Sequence, residues 1–180
     1  MKKNNLLFWQ PRFDFLRYLE KTPLGELSVI ILNYSIWFFL FLVAYFLIKD
    51  QTNVFWQLLA ATITGEIIEK IGKSHRLWRR PLFQRHDATP VGIVDRWYKT
   101  GSFPSGHTIK AVFFFLFVLQ YHFAASPIFL AVAVPLLLFR ILIGFHYPID
   151  MIGGLIFGFL IWFFVDYDKL LAIKFFQKIQ

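Results

Sequence analysis

The chain has 180 residues, of which 57% are hydrophobic and 21% aromatic, with 24 phenylalanines. A water-soluble domain of this size cannot bury that much apolar surface, so the composition points to lipid as the surrounding solvent. The net charge of +8 is clustered and favours anionic partners such as head groups or phosphates; no soluble basic domain exists to bind nucleic acid, and the absence of cysteine excludes disulfides, zinc thiolates and Fe–S sites.

Met1 to Asn5 are polar and basic, but no short apolar core with a small-residue cleavage site follows, so no removable signal peptide is expected. Residues 12–22, "RFDFLRYLEKT", alternate apolar and charged at helical spacing after Pro11 and predict an interfacial amphipathic helix, with Trp9 as an anchor. Residues 26–48 form the first apolar span, and "KDQTN" turns the chain. The second span, 54–72, is interrupted by Gly65, Glu66 and Glu69. Its Glu66/Lys70 and Glu69/Lys73 pairs, spaced i, i+4, suit a helix that continues out into water. Residues 73–104 are the long polar segment, and a loop of that length in a compact protein is usually functional. Three further spans follow at 106–123, 127–143 and 148–165. Pro127 and Pro148 suit helix starts, Pro135 predicts a kink, and "DYDKLLAIKFFQKIQ" is a short basic tail. The expected fold is an all-α membrane protein with five transmembrane helices plus an N-terminal interfacial helix. It forms one integral-membrane domain over 1–180: 1–25 at the interface, 26–165 as the bundle and 166–180 as the tail.

Alternation of the spans places three polar stretches on one rim. The first is "KSHRLWRRP", Lys73 to Pro81, in which Lys73 and Arg80 are seven residues apart. Two helical turns would set both cations on one face to clamp an anion, with Pro81 ending the helix. The second is "PSGH", in which Ser105 is a good N-cap and Gly106 lets a ligand approach the backbone. The free N–H groups of that helix start suit phosphate, and His107 lies one step inside. The third is "RILIGFHYPID", Arg140 to Asp150. Arg140 is a charge inside an apolar span, and Asp150 can accept from one ring nitrogen of His146, leaving the other as a lone pair. Each stretch alone has a plainer explanation: a head-group-binding basic face, a helix cap, a structural Arg–Asp tie. Together they suit phosphoryl transfer, with cations and backbone N–H groups on the equatorial oxygens and two histidines to attack and to move protons.

In these residues the chain resembles the type-2 phosphatidate phosphatase superfamily of membrane lipid phosphatases. The three-part pattern stands as Lys73, six residues, then Arg80–Pro81; Pro104–Ser105–Gly106–His107; and Arg140, five residues, His146, three residues, Asp150. The likeness covers roughly residues 60–165; Phe139 departs from it where a serine often precedes the arginine. The resemblance implies His146 as a nucleophile forming a phosphohistidine, Asp150 as its orienting partner and His107 as the general acid and then base. It implies Lys73, Arg80, Ser105, Gly106 and Arg140 as the phosphate-binding set, with neither metal nor cofactor.

The substrate implied is a membrane lipid phosphate or diphosphate, with the bilayer as the other partner and no obligate protein partner. The short chain and its amphipathic N-terminal helix are similar to the small bacterial undecaprenyl-diphosphate phosphatases. Phosphatidylglycerol phosphate, lipid A phosphate and lipid-to-lipid phosphotransfer are the alternatives. Lys110 is expected to snorkel to the rim or to reach a second phosphate. Trp78 and Trp97 are expected as interfacial belt residues, and Gly154/Gly158 as a close-packing pair. His75, His86 and His122 have no evident partner. Sidedness divides: the motif face carries Lys2, Lys3, Arg12, Arg17, Lys21, Lys70, Lys73, Arg76, Arg79, Arg80, Arg85, Arg96 and Lys99. The other face has only Lys49, Lys169, Lys174 and Lys178. The positive-inside rule puts the site in the cytoplasm; the resemblance puts it on the outer face of a bacterial inner membrane, and the outer face is the expectation adopted.

Overall fold

The computed structural model describes residues 6–10, 22–84 and 100–177. The expected interfacial helix at 12–22 lies outside them except for Thr22, as do His86, Asp87, Asp95 and Trp97 of the long loop. The described residues contain helices and no strand: α1 (Pro23–Asp50), α2 (Thr52–Ser74), α3 (Gly106–Tyr121), α4 (Ser126–Leu142) and α5 (Pro148–Gln177). Short 3-10 turns stand at Leu6–Phe8 and Pro81–Gln84.

Local chemistry sets the ends. Thr22 caps α1 by accepting from the Gly25 N–H at 3.2 Å, with Pro23 in the first helical turn. Ser105 caps α3, and its hydroxyl accepts from the Thr108 N–H. His122, in the left-handed region at φ 52°, closes α3 by donating its N–H to the Val118 carbonyl. α4 has Pro127 in its first turn and runs through Pro135 as one helix. Two expectations are corrected. The tail is not a separate segment, because α5 continues beyond Val165 to Gln177. Lys73 and Arg80 do not share two turns of one helix: α2 stops at Ser74, and Arg76, at φ 47°, turns the chain away. Pro81 therefore opens a 3-10 turn rather than ending a helix.

α3 is the central helix, packed against α2, α4 and α5, most extensively against α5. The expected small-residue pair explains that closeness. A Cβ on Gly154 would stand 2.6 Å from Thr108 Cβ, and one on Gly158 would stand 2.7 Å from the Ile109 carbonyl oxygen. In lipid, where no water is expelled between helices, such backbone approach is a main source of association. Ile109, Phe113, Phe114 and Phe117 of α3 fill the core with Leu58 and Ala61 of α2 and Ile161 of α5. At the end of the bundle away from the three motifs, Tyr121 Oη donates to Gln57 Oε1 at 2.7 Å, and Trp162 Nε1 donates to Gln120 Oε1 at 2.8 Å.

The outside is as apolar as the inside. Phe38, Phe41, Trp56, Ile128, Leu138 and Phe164 all stand exposed, on the four helices around the central one. An apolar belt of that extent is what a lipid-facing surface requires and what a water-facing one avoids. Within α5, Pro148–Val165 is long and apolar enough to cross a membrane; α3 and α4 are apolar but shorter, at 16 and 17 residues.

Candidate active site

The turn between α4 and α5 forms the floor of the site. After Arg140 the chain leaves the helix through Gly144, whose φ of 74° is a conformation that glycine adopts without strain. The Arg140 carbonyl collects the N–H groups of Phe145 and His146 at 3.0 and 3.4 Å. Pro148 then starts α5, which puts Asp150 in its first turn. Asp150 Oδ2 accepts the Tyr147 N–H at 2.8 Å and lies 3.4 Å from His146 Nδ1. A carboxylate only accepts, so Nδ1 is the protonated nitrogen and Nε2 carries the lone pair. His146 is buried, and its Nε2 has no hydrogen-bond partner among the described residues.

Asp150 is fixed by more than the sequence suggests. Trp78 Nε1 donates to its Oδ1 at 2.8 Å, so Trp78 is not a belt residue but the support of the carboxylate. Trp78 is in turn braced edge-on by Phe8, at 5.2 Å between ring centroids, and by Phe103 at 5.3 Å; Phe8 also packs on Tyr147. The signal for Trp78 was available, since it lies inside the Lys73–Arg80 stretch, two residues before Arg80. Its partner, 72 positions along the chain, was not.

The segment after α2 brings in the first cation. Gly101 N–H reaches back to the Lys73 carbonyl at 3.1 Å, and Ser102 N–H to the Trp78 carbonyl at 3.2 Å, which ties the two ends of the long loop together. Arg80 is buried; its Nη1 donates to the Phe145 carbonyl at 3.2 Å, and Leu82 N–H donates to the Gly144 carbonyl at 2.8 Å. Arg80 is thus pinned directly onto the His146 turn. Burial draws its pKa down to about 10, with Glu69 and Asp150 acting in the opposite sense.

The start of α3 completes the set. Ser105 N–H donates to the Asp150 carbonyl at 3.1 Å, which docks α3 on α5. The Ser105 hydroxyl serves as the cap and accepts from the Thr108 hydroxyl at 2.9 Å. His107 Nε2 lies 3.3 Å from Arg140 Nη1. Arginine can only donate, so in this arrangement Nε2 of His107 is unprotonated. Arg140, buried one turn below the rim, also lies against the Phe145 ring. Lys73, Arg80, Arg140 and His107 all act electrostatically on His146; burial first, then those charges, hold its pKa well below 6.5.

Two residues differ from expectation. Lys110 does not snorkel: it is buried and ion-paired to both Glu66 and Glu69, over the Trp37 ring. Glu69 is not on a solvated helix end. It accepts from Lys73 and Lys110, and a Cβ on Gly106 would overlap its carboxylate. The space at Gly106 is therefore taken by Glu69. Glu66, Glu69, Lys70, Lys73, Ser74, Arg80 and Thr100 line a cavity of about 480 Å³ at this rim. The structure thus brings all eight motif residues, Lys73, Arg80, Ser105, Gly106, His107, Arg140, His146 and Asp150, to one end of the bundle. Of the other histidines, His75 bonds the Ile71 carbonyl at 2.8 Å and His122 ends α3.

No curated protein matches the chain significantly in sequence. Among solved structures, its fold is similar to that of LpxE from Aquifex aeolicus, with a TM-score of 0.63 at 19% identity, covering 89% of this chain and 97% of that one. The family model of the PAP2 superfamily matches residues 54–171, which contain all three motifs and every residue of the site. That match spans most of the chain, and the protein belongs to the PAP2 superfamily.

Proposed function

We propose that the protein is an integral-membrane lipid phosphatase working through a phosphohistidine. The observation that carries this is the buried Nε2 of His146, left as the lone-pair nitrogen by the Nδ1 contact to Asp150 and acted on by the charges of Arg80, Arg140, Lys73 and His107. A phosphoryl group drawn in by Lys73, Arg80 and Arg140 presents its phosphorus to that lone pair. The N–P bond forms as the P–O bond to the lipid breaks, and the leaving oxygen takes a proton from His107, which acts in its protonated form once Nε2 is released from Arg140. Water then attacks phosphorus, His107 takes the proton back, and the N–P bond breaks to give inorganic phosphate. Stabilising the equatorial oxygens is the larger part of such catalysis, and here guanidinium and ammonium groups do it without a metal.

Five membrane-spanning helices suit the exposed apolar belt on α1, α2, α4 and α5. A lipid substrate is supported by a second, apolar cavity of about 300 Å³ between α1, α3 and α4. Its lining begins at Ala111 and Leu136, each one helical turn from His107 and Arg140. Undecaprenyl diphosphate is our first choice of substrate, with phosphatidylglycerol phosphate, lipid A phosphate and lipid-to-lipid transfer as the alternatives; the site faces the outer side of a bacterial inner membrane. Phosphate release by purified protein from a panel of these lipids, with and without EDTA, tests the assignment. Release that survives EDTA, with acid-labile phosphate trapped on His146, is expected. Loss in EDTA restored by magnesium overturns the metal-free mechanism. Single cysteines at Thr89 and Gln177 test sidedness: an impermeant thiol reagent on intact cells should label the first and spare the second.

A further inference from the structure

Glu69 is an acidic group inside a site built to hold an anion. It stands one turn before Lys73 on α2, and its carboxylate is only 16% exposed. Lys73 Nζ donates to Oε1, and Lys110 Nζ donates to Oε2 at 3.1 Å. The same carboxylate abuts Gly106, the first residue of α3, so closely that no side chain fits there. Its charge also acts on Arg80 and Arg140. Glu69 thus holds the position beside Gly106 and the lysine that an incoming phosphoryl oxygen needs.

Lys110 gives the arrangement a second state. It is buried at 3% exposure and is ion-paired with Glu66 as well as Glu69. When Lys73 turns to a phosphate, Lys110 can keep Glu69, so no carboxylate is stranded beside the new anion. When phosphate leaves, Lys73 returns to Glu69, and the site's cations are not left facing only one another.

We propose that Glu69 is a built-in competitor for the phosphate site, exchanging Lys73 with the phosphoryl group and so hastening release of inorganic phosphate, with Lys110 as its tether. This rests on the phosphatase assignment above. The plainer role, in which Glu69 merely holds Lys73 in place for substrate, predicts the opposite sign.

The test is binding of inorganic phosphate to purified, detergent-solubilised protein, read by the phosphate-dependent rise in unfolding temperature, which needs no turnover. Glu69→Gln should bind phosphate about tenfold more tightly than wild type, the scale of one charge-assisted hydrogen bond. In turnover it should lower KM and kcat together. Lys110 keeps Glu66 in that variant, so it retains a partner for its charge. If Glu69→Gln nevertheless fails to fold, Glu69→Gln with Lys110→Met replaces it and should bind phosphate more tightly than Lys110→Met alone. Unchanged or weaker phosphate binding on loss of Glu69 overturns the proposal, as does absence of phosphate binding in every form. Wild-type protein that binds phosphate but releases none from any lipid overturns the phosphatase assignment instead.

Discussion

The two halves of the site are held in different ways. On the α5 side, the His146–Asp150 pair rests on donors with little freedom: a backbone N–H at 2.8 Å, an indole N–H at 2.8 Å and the first turn of a helix. On the α2 side, Lys73 and Lys110 share Glu69, and Lys110 also pairs with Glu66, all through the ends of long side chains. The difference follows the chemistry. A nucleophile must present one lone pair along one line, so its supports are short and rigid. On the reading proposed above, groups that receive and release an anion must let go each cycle, and long stems with several rotatable bonds suit that.

Breaking the rigid half should cost most. His146→Ala removes the attacking nitrogen, and phosphate release should fall roughly a thousandfold or more while the protein stays folded, as read by turnover and unfolding temperature. Near-normal turnover in that variant would remove the nucleophile assignment. His107→Ala should cost roughly a hundredfold on a lipid substrate, and an ester whose leaving group needs no proton should recover part of it. The same ester should not rescue His146→Ala; equal losses in both would contradict the division of labour.

The electrostatics sharpen the contrast through pH. Burial and the neighbouring cations lower the His146 pKa well below 6.5, so the folded ring stays neutral where the unfolded one would charge. In single-turnover experiments with that activated ester, phosphoenzyme formation should therefore stay level from about pH 7 to about pH 6, the range where an ordinary histidine titrates. A loss of rate with a midpoint near the ordinary value would mean that the nucleophile is not shielded in this way. The stability consequence has a definite sign. The buried neutral ring contributes fully above about pH 6.5, and that contribution is lost as pH falls below it, because only the unfolded state takes up the proton.

Trp78→Phe probes the rigid half less severely. It keeps a ring edge-on to Phe8 and Phe103 but leaves Asp150 Oδ1 without its indole donor. The Asp150 carboxylate gains freedom, and kcat should fall about tenfold with KM little changed. A rise in KM at constant kcat would place Trp78 in substrate binding instead.

These residues also mark how far the sequence could be read. Helix positions were legible because apolar runs bounded by Ser105, Pro127 and Pro148 leave few alternatives. The eight motif residues stood out because their spacings match one three-part pattern, and the structure gathers them at one end of the bundle. What was not legible depends on contacts between distant segments. Trp78 reads as a membrane-belt tryptophan until the loop ties at Gly101 and Ser102 bring it under Asp150. Lys110 reads as a snorkelling lysine until α3 packs on α2 and sets it beside Glu66 and Glu69. The turn at Arg76 shows a third kind of miss: no proline or glycine marks it, and helical spacing across 73–80 suggested continuity that a left-handed residue breaks.

The smallest effect should come from Phe8. It lies outside the family-matched region, yet its ring packs on both Trp78 and Tyr147, the two residues whose N–H groups hold Asp150. Deleting the ring leaves both hydrogen bonds in place and removes only the edge-on contacts, each worth about 0.5–1.5 kcal/mol beyond area burial. Phe8→Ala should therefore lower kcat only about two- to threefold and leave phosphate affinity alone, whereas Phe8→Leu should recover most of the loss by refilling the space. Combined with Trp78→Phe it should add less than its separate effect, because both changes act through the same carboxylate. Full additivity in that double variant would show that Phe8 supports something other than Asp150. The rigid half would then end at Trp78 rather than extend to the N-terminal segment.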